Sequence, residues 1–284
     1  MFIRIAAACA LILMALSLVP WLSETAWGVD SAGMYLLRAL AVSTVVVTGI
    51  WWLRTRRDGL SMADLGVPGM PRALPEFGRG VGIVALPLAA VSILGNSLGW
   101  ADMSVNMSWS ALGAIGVGAT TVLLFEAVPE ELVFRGYIYR NFSSRHRRWV
   151  AALITTAVFV SLPLVLVQIQ SRVFGTEITI GGSSSITVPY LITLTIFGLF
   201  VQYLRILTGA IWTGVGFHLA FVYMNRLVGP DPGNVLQFAE ITNSMAMQIA
   251  GLGTVGLLLA FLMAYPWIAG RRIGWNEVEP VKSG

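Results

Sequence analysis

Over most of this chain apolar residues do not alternate with polar ones. They run on in blocks of about twenty, closed by arginine, glycine or proline. Such blocks occupy about 2–22, 33–53, 80–100, 110–128, 149–170, 188–207, 210–228 and 246–269. A helix rises about 1.5 Å per residue, so about twenty apolar residues cross the hydrocarbon core of a bilayer. The pattern predicts an all-α integral membrane protein of about eight transmembrane helices enclosing an intramembrane cavity. Composition agrees: 56% of residues are hydrophobic and 11% charged, against about 25% charged in soluble domains.

The net charge of +4 says little until its placement is considered. Arg4 precedes the first block, and Arg54, Arg56, Arg57, Arg72 and Arg79 separate the second from the third. Arg135, Arg140, Arg145, Arg147 and Arg148 follow the fourth, Arg205 the sixth, and Arg271, Arg272 and Lys282 the eighth. The alternate connections carry Glu24, Asp30, Asp102, Glu177, Asp231 and Glu240, with Arg172 as their basic residue. This is the positive-inside pattern, and it predicts both termini on the cytoplasmic side of the cell (inner) membrane. Topology accounts for the arginines, so nucleic acid is not an expected partner; anionic membrane lipids are. The first block has two parts of a signal peptide, a basic start and an apolar core, but no small-x-small cleavage site follows Trp21, and a retained helix is expected. The lone cysteine, Cys9, allows neither an intrachain disulfide nor a cysteine metal site.

No soluble domain and no internal repeat stand out. The chain divides into an N-terminal two-helix segment at 1–59, a core at 60–228, and an external loop, last helix and tail at 229–284. The stretch from Met62 to Leu74 reads as a turn-rich surface segment. Pro129 is expected to end or kink the fourth helix, with a new helix carrying Glu130 to about Phe142. Residues 172–187 and 229–245 read as external loops. Inside the blocks, Arg38 sits where it can snorkel, Gln202 where an interhelical hydrogen bond is the ordinary role, and His218 in mid-helix.

Chemistry concentrates in Phe-Glu-Ala-Val-Pro-Glu-Glu-Leu-Val-Phe-Arg-Gly at 125–136. Ionised groups in hydrocarbon cost roughly 2.5–3.5 kcal/mol each on insertion scales, so they persist there with a partner or a use. Glu131 and Arg135 are four apart and share a helix face; Glu126 and Glu130 share a neighbouring one. Paired carboxylates in a low-dielectric setting are suited to handling a proton.

The string Glu130-Glu131-Leu-Val-Phe-Arg135-Gly136 resembles the Glu-Glu-x-x-x-Arg motif of the CPBP family, which comprises CAAX prenyl proteases and bacteriocin-processing or immunity proteins. Asp64-Leu-Gly-Val, the aromatic run Tyr137 to Phe142, and Tyr203 to Trp212 ahead of Gly216-Phe-His218 extend the resemblance over roughly 60–228. It implies an intramembrane endopeptidase acting on a membrane-embedded or lipid-modified protein or peptide. By the same resemblance Glu130 is the general base, Glu131 and Arg135 a supporting ion pair, and His218 a carbonyl-polarising residue. Two positions depart from the family pattern. Pro163 stands where its Phe-x-x-x-His motif has histidine, and Val222 stands four after His218 where asparagine is expected.

Two readings therefore stay open. One is an endopeptidase with a changed catalytic set, in which Glu126, or more weakly Ser161, replaces the missing histidine. The other is a non-catalytic relative acting as a membrane scaffold, chaperone or immunity factor. A proton-coupled transporter would show paired interrupted helices, and none are evident. No cofactor is required by the sequence, and a single histidine beside glutamates is a poor zinc set.

Overall fold

The computed structural model describes residues 1–27, 32–105, 108–176, 186–229, 236–268 and 273–280. The apolar blocks fold into helices: α1 Phe2–Trp27, α2 Ala32–Trp52, α3 Met70–Ser97, α4 Trp109–Val122, then short α5 Val128–Glu131 and α6 Tyr139–Ser143, α7 Arg148–Ile169, α8 Val188–Thr208, α9 Trp212–Leu227 and α10 Ser244–Ile268. Among the described residues, seven helical runs are long and apolar enough to cross a membrane. Large side chains such as Leu86, Ile93, Leu252 and Leu257 point outward from them. The protein is a multi-pass membrane protein. The remaining block, α9, is a helix of only 16 residues, about 24 Å by its rise. It lies chiefly against α3.

Pro129 does not end the fourth helix, the first of the two outcomes that the sequence predicts for it. One continuous run extends from Trp109 to Ser143. Wide π turns at Leu123–Ala127 and Leu132–Ile138 flank the proline, which occupies the first turn of α5. The Val128 N–H reaches Leu123 O, five residues back. Widening the ladder there makes room for a ring that has no N–H to give and that crowds the carbonyl four residues earlier.

The segment around Met62 to Leu74 also differs from its expected surface role. Met62–Leu65 forms a 3-10 turn whose Asp64 and Leu65 are buried, and α3 already begins at Met70. Gly66 closes that turn with φ +80°, and a Cβ there would lie 2.7 Å from Cζ of Arg205. Left-handed backbone and a guanidinium in contact both call for glycine. Asp64 is drawn inward because it accepts from Arg54 and takes Arg140 through two bonds, Nε at 2.9 Å and Nη2 at 2.8 Å. Asp58 joins Arg54, at 3.2 Å, to Arg4, at 2.8 Å. The arginine-rich helix ends are thus clasped by a shared ion network.

The chain after α10 returns to this end. Arg140 donates to the carbonyls of Glu279 and Pro280, at 2.9 and 2.6 Å, and the Glu279 N–H donates to Ser143 O at 2.8 Å. Trp275 stacks on Tyr203 with centroids 6.1 Å apart. At the opposite end, β1 Ala101–Val105 pairs antiparallel with β3 Leu236–Ile241, and β2 Val228–Gly229 runs parallel to β3. Part of the loop expected at 229–245 is therefore sheet. Residues 177–185 and 230–235, which fall in the two expected external loops, lie outside the described residues.

The contact between α3 and α9 depends on two glycines. A Cβ on Gly80 would run into the backbone of Thr213 and Phe217, and one on Gly216 into the backbone of Phe77. Small residues let membrane helices approach to backbone contact. Gly216→Ala is expected to force the pair apart at a cost at or above the about 1–3 kcal/mol of ordinary overpacking. Thermal unfolding in detergent reads this as a lowered melting temperature; an unchanged value would mean the contact is absent.

Candidate active site

Every residue from 131 to 140 is buried. The π turn at Leu132–Ile138 belongs to this stretch, which is enclosed by α1, α2 and α7. Burying Glu131 and Arg135 there is tolerable only with partners. Arg135 donates from Nη1 to Glu131 Oε1 at 3.0 Å and from Nη2 to Gly198 O at 3.3 Å. Its guanidinium lies over the Phe159 ring, 4.2 Å from the centroid. A cation over an aromatic face gains electrostatically, and more so away from water.

Glu131 Oε1 also meets His218 Nδ1, at 3.1 Å. Residues 87 apart in sequence meet here because α9 can come close: a Cβ on Gly214 would lie 3.0 Å from Glu131 Oε2. A carboxylate only accepts, so the geometry places the proton on Nδ1 of the ring. Phe197 holds the imidazole edge-on, centroids 4.9 Å apart. Glu131 thus orients two cationic or proton-bearing groups at once, and Nε2 of His218 is left for another partner.

Glu130 differs from its neighbour. It is partly exposed, and among the described residues it makes no hydrogen bond or ion pair. The charged groups that act on it are His218, Glu126, Glu131 and Arg135. Glu126, in the first π turn, is likewise partly exposed. The structure therefore brings Glu126, Glu130, Glu131, Arg135 and His218 into one electrostatic cluster. Sequence reasoning missed Gly198, Phe197 and Gly214, which pack against it, and Tyr190, which feels both Glu126 and Glu130. The Gly214-x-Gly216-x-His218 spacing was the available signal for close approach of α9.

Other expectations shift. Ser161 is exposed and donates to Val158 O of its own helix at 2.7 Å, so it faces away from the cluster. Pro163 is buried one turn beyond Phe159 on the same face of α7. Arg38 is buried, with its guanidinium 5.6 Å from the Tyr35 centroid, instead of snorkelling to water. Gln202 is buried with neither amide atom hydrogen-bonded, so the expected interhelical bond is not made. No group of three or more His, Cys, Asp or Glu side chains among the described residues is placed to hold a metal ion.

Residues 112–224 match the model of a family described as type II CAAX prenyl endopeptidase Rce1-like. This stretch is similar to the Rce1-like family. Neither the curated proteins nor the solved structures gave a match. The matched stretch contains all five residues of the cluster, and also Pro163 and Val222; Asp64, Arg54 and Arg4 of the ion network lie before it. A membrane endopeptidase is the general class that the Rce1-like match supports.

Proposed function

We propose that the chain is a glutamate-dependent intramembrane endopeptidase that cleaves a membrane-associated or lipid-modified protein or peptide. Its arginine-rich end and both termini face the cytoplasm of a cell with an inner membrane. The observation that carries the reading is the Glu131 carboxylate gripping Arg135 and His218 beside a partly exposed, unpaired Glu130. Glu130 takes a proton from water as the hydroxide attacks the scissile carbonyl, and later returns it to the departing amine. His218 carries its Nδ1 proton toward Glu131, so a second proton on Nε2 would point away from that carboxylate. Its Nε2–H then meets the developing oxyanion. Glu126 stands in for the histidine that Pro163 replaces.

Pro163 and Val222 favour a second reading, a scaffold that binds such a segment without cutting it. The test is a prenylated peptide added to proteoliposomes on the side where the C-terminal tail is accessible. Cleavage is expected there and not from the opposite side, and Glu126→Gln should slow it by about a hundredfold or more, as removal of a general acid–base group does. Binding without cleavage, unaffected by Glu126→Gln, would establish the scaffold instead.

A further inference from the structure

Two adjoining cavities open at the arginine-rich end, away from the glutamate cluster. One, of about 200 Å³, is lined by Arg4, Arg54, Arg140, Arg145, Asn141 and Ser144. The other, of about 420 Å³, is lined by Ile3, Ala7, Trp52 and Leu53, with Arg4 and Arg57 at its edge. Arg4 belongs to both. A polar, cationic chamber thus continues into an apolar groove between the start of α1 and the end of α2.

The charges do not cancel in the first chamber. Of its four arginines, Arg4 and Arg54 share Asp58, and Arg54 and Arg140 share Asp64. Arg145 is exposed and has no side-chain partner among the described residues. The buried Nε–H of Arg54 has no acceptor either. Arg140 also meets the Glu279 carboxylate, at 4.0 Å, which Arg148 shares at 3.8 Å, so five arginines stand against three carboxylates and leave this end with two positive charges and donors to spare. In the groove, the guanidinium of Arg57 lies 5.5 Å from the Trp52 ring centroid, which keeps a further cation at the mouth. Ile3 is 87% exposed there, an apolar surface open to an alkyl chain.

We infer that these two cavities form one binding site for an anionic phospholipid. The phosphate-bearing headgroup sits among Arg4, Arg54 and Arg145, and an acyl chain lies along Ile3, Ala7 and Trp52. Charge complementarity selects the headgroup, and the adjoining groove distinguishes a lipid from a soluble anion. Arginine suits the role because its planar fork meets phosphate oxygens two at a time. The site needs only the membrane placement of the chain and does not rest on the proteolytic reading. Its consequence is that an anionic lipid bridges α1, α2 and the end of α6, and so stabilises the corner from which the active helix departs.

The test uses the full-length protein purified in neutral detergent and titrated with phosphatidylglycerol, phosphatidylcholine or inorganic phosphate. Native mass spectrometry reads retained adducts, and thermal unfolding reads stabilisation. Phosphatidylglycerol is expected to be retained and to raise the melting temperature, with phosphatidylcholine and phosphate having little effect. Arg57→Gln and Arg145→Gln remove exposed cations outside the buried ion network, so both variants should fold. Each should weaken phosphatidylglycerol binding about fivefold, and the pair about 25-fold, the factor that about 1 kcal/mol per basic residue near a membrane surface converts to. Equal retention of both lipids, or an undiminished preference in the double variant, would overturn the site. Stabilisation by inorganic phosphate equal to that by lipid would overturn the role of the groove.

Discussion

Glu130→Gln is expected to abolish cleavage of a membrane-anchored peptide while the protein folds as before. The amide keeps the shape of the carboxylate and cannot accept the proton of the attacking water. Positioned general bases contribute about 10²–10⁴-fold, so residual activity should fall below that of the Glu126→Gln variant. Folding should survive because Glu130 makes no hydrogen bond or ion pair among the described residues, so nothing charged is left behind. Glu131→Gln is the informative contrast. Glu131 accepts from both Arg135 and His218 inside the protein, so its loss should lower stability together with activity. A Glu130→Gln protein that cuts at the natural rate would end the catalytic assignment.

The largest expected loss of stability is at a residue remote from the site. Asp64→Ala should destabilise the protein by about 3–5 kcal/mol, the cost of removing one partner from a buried ion pair. Arg140 would lose two of its four hydrogen bonds and Arg54 one of its two carboxylates. Both arginines would remain buried. Unfolding in detergent, followed by circular dichroism, checks this. A melting temperature equal to that of the natural protein would show that water or lipid reaches the arginines and replaces the carboxylate. Asp64→Asn should fall between, because an amide oxygen still accepts one bond but carries no charge.

The reach of sequence reasoning follows from the range of each interaction. Apolar blocks identify membrane helices because the bilayer imposes one length on all of them. The Glu131–Arg135 contact is an i,i+4 relation and could be read from spacing. The contact of Glu131 with His218 spans the sequence from α5 to α9, and only the family resemblance pointed toward it. Asp64 looked like a surface residue because its partners Arg54 and Arg140 lie on other elements. Pro129 looked like a helix end because the rule for proline assumes four-residue hydrogen bonding, and a five-residue turn sidesteps it. Gln202 is polar and near a helix end, yet packing buried it without a bond.

The ion network has a further consequence, for how the chain is made. Its members run from Arg4 in α1 through Asp58, Asp64 and Arg140 to Glu279, beyond α10. The early members can pair as soon as α2 has been inserted. Arg140, however, waits for its last acceptors, the carbonyls of Glu279 and Pro280, which are made after α10. Contacts of such sequence separation form late. A chain truncated before residue 273 should therefore insert its helices but leave its arginine-rich end open to proteolysis. A chain that includes residues 273–280 should be protected there.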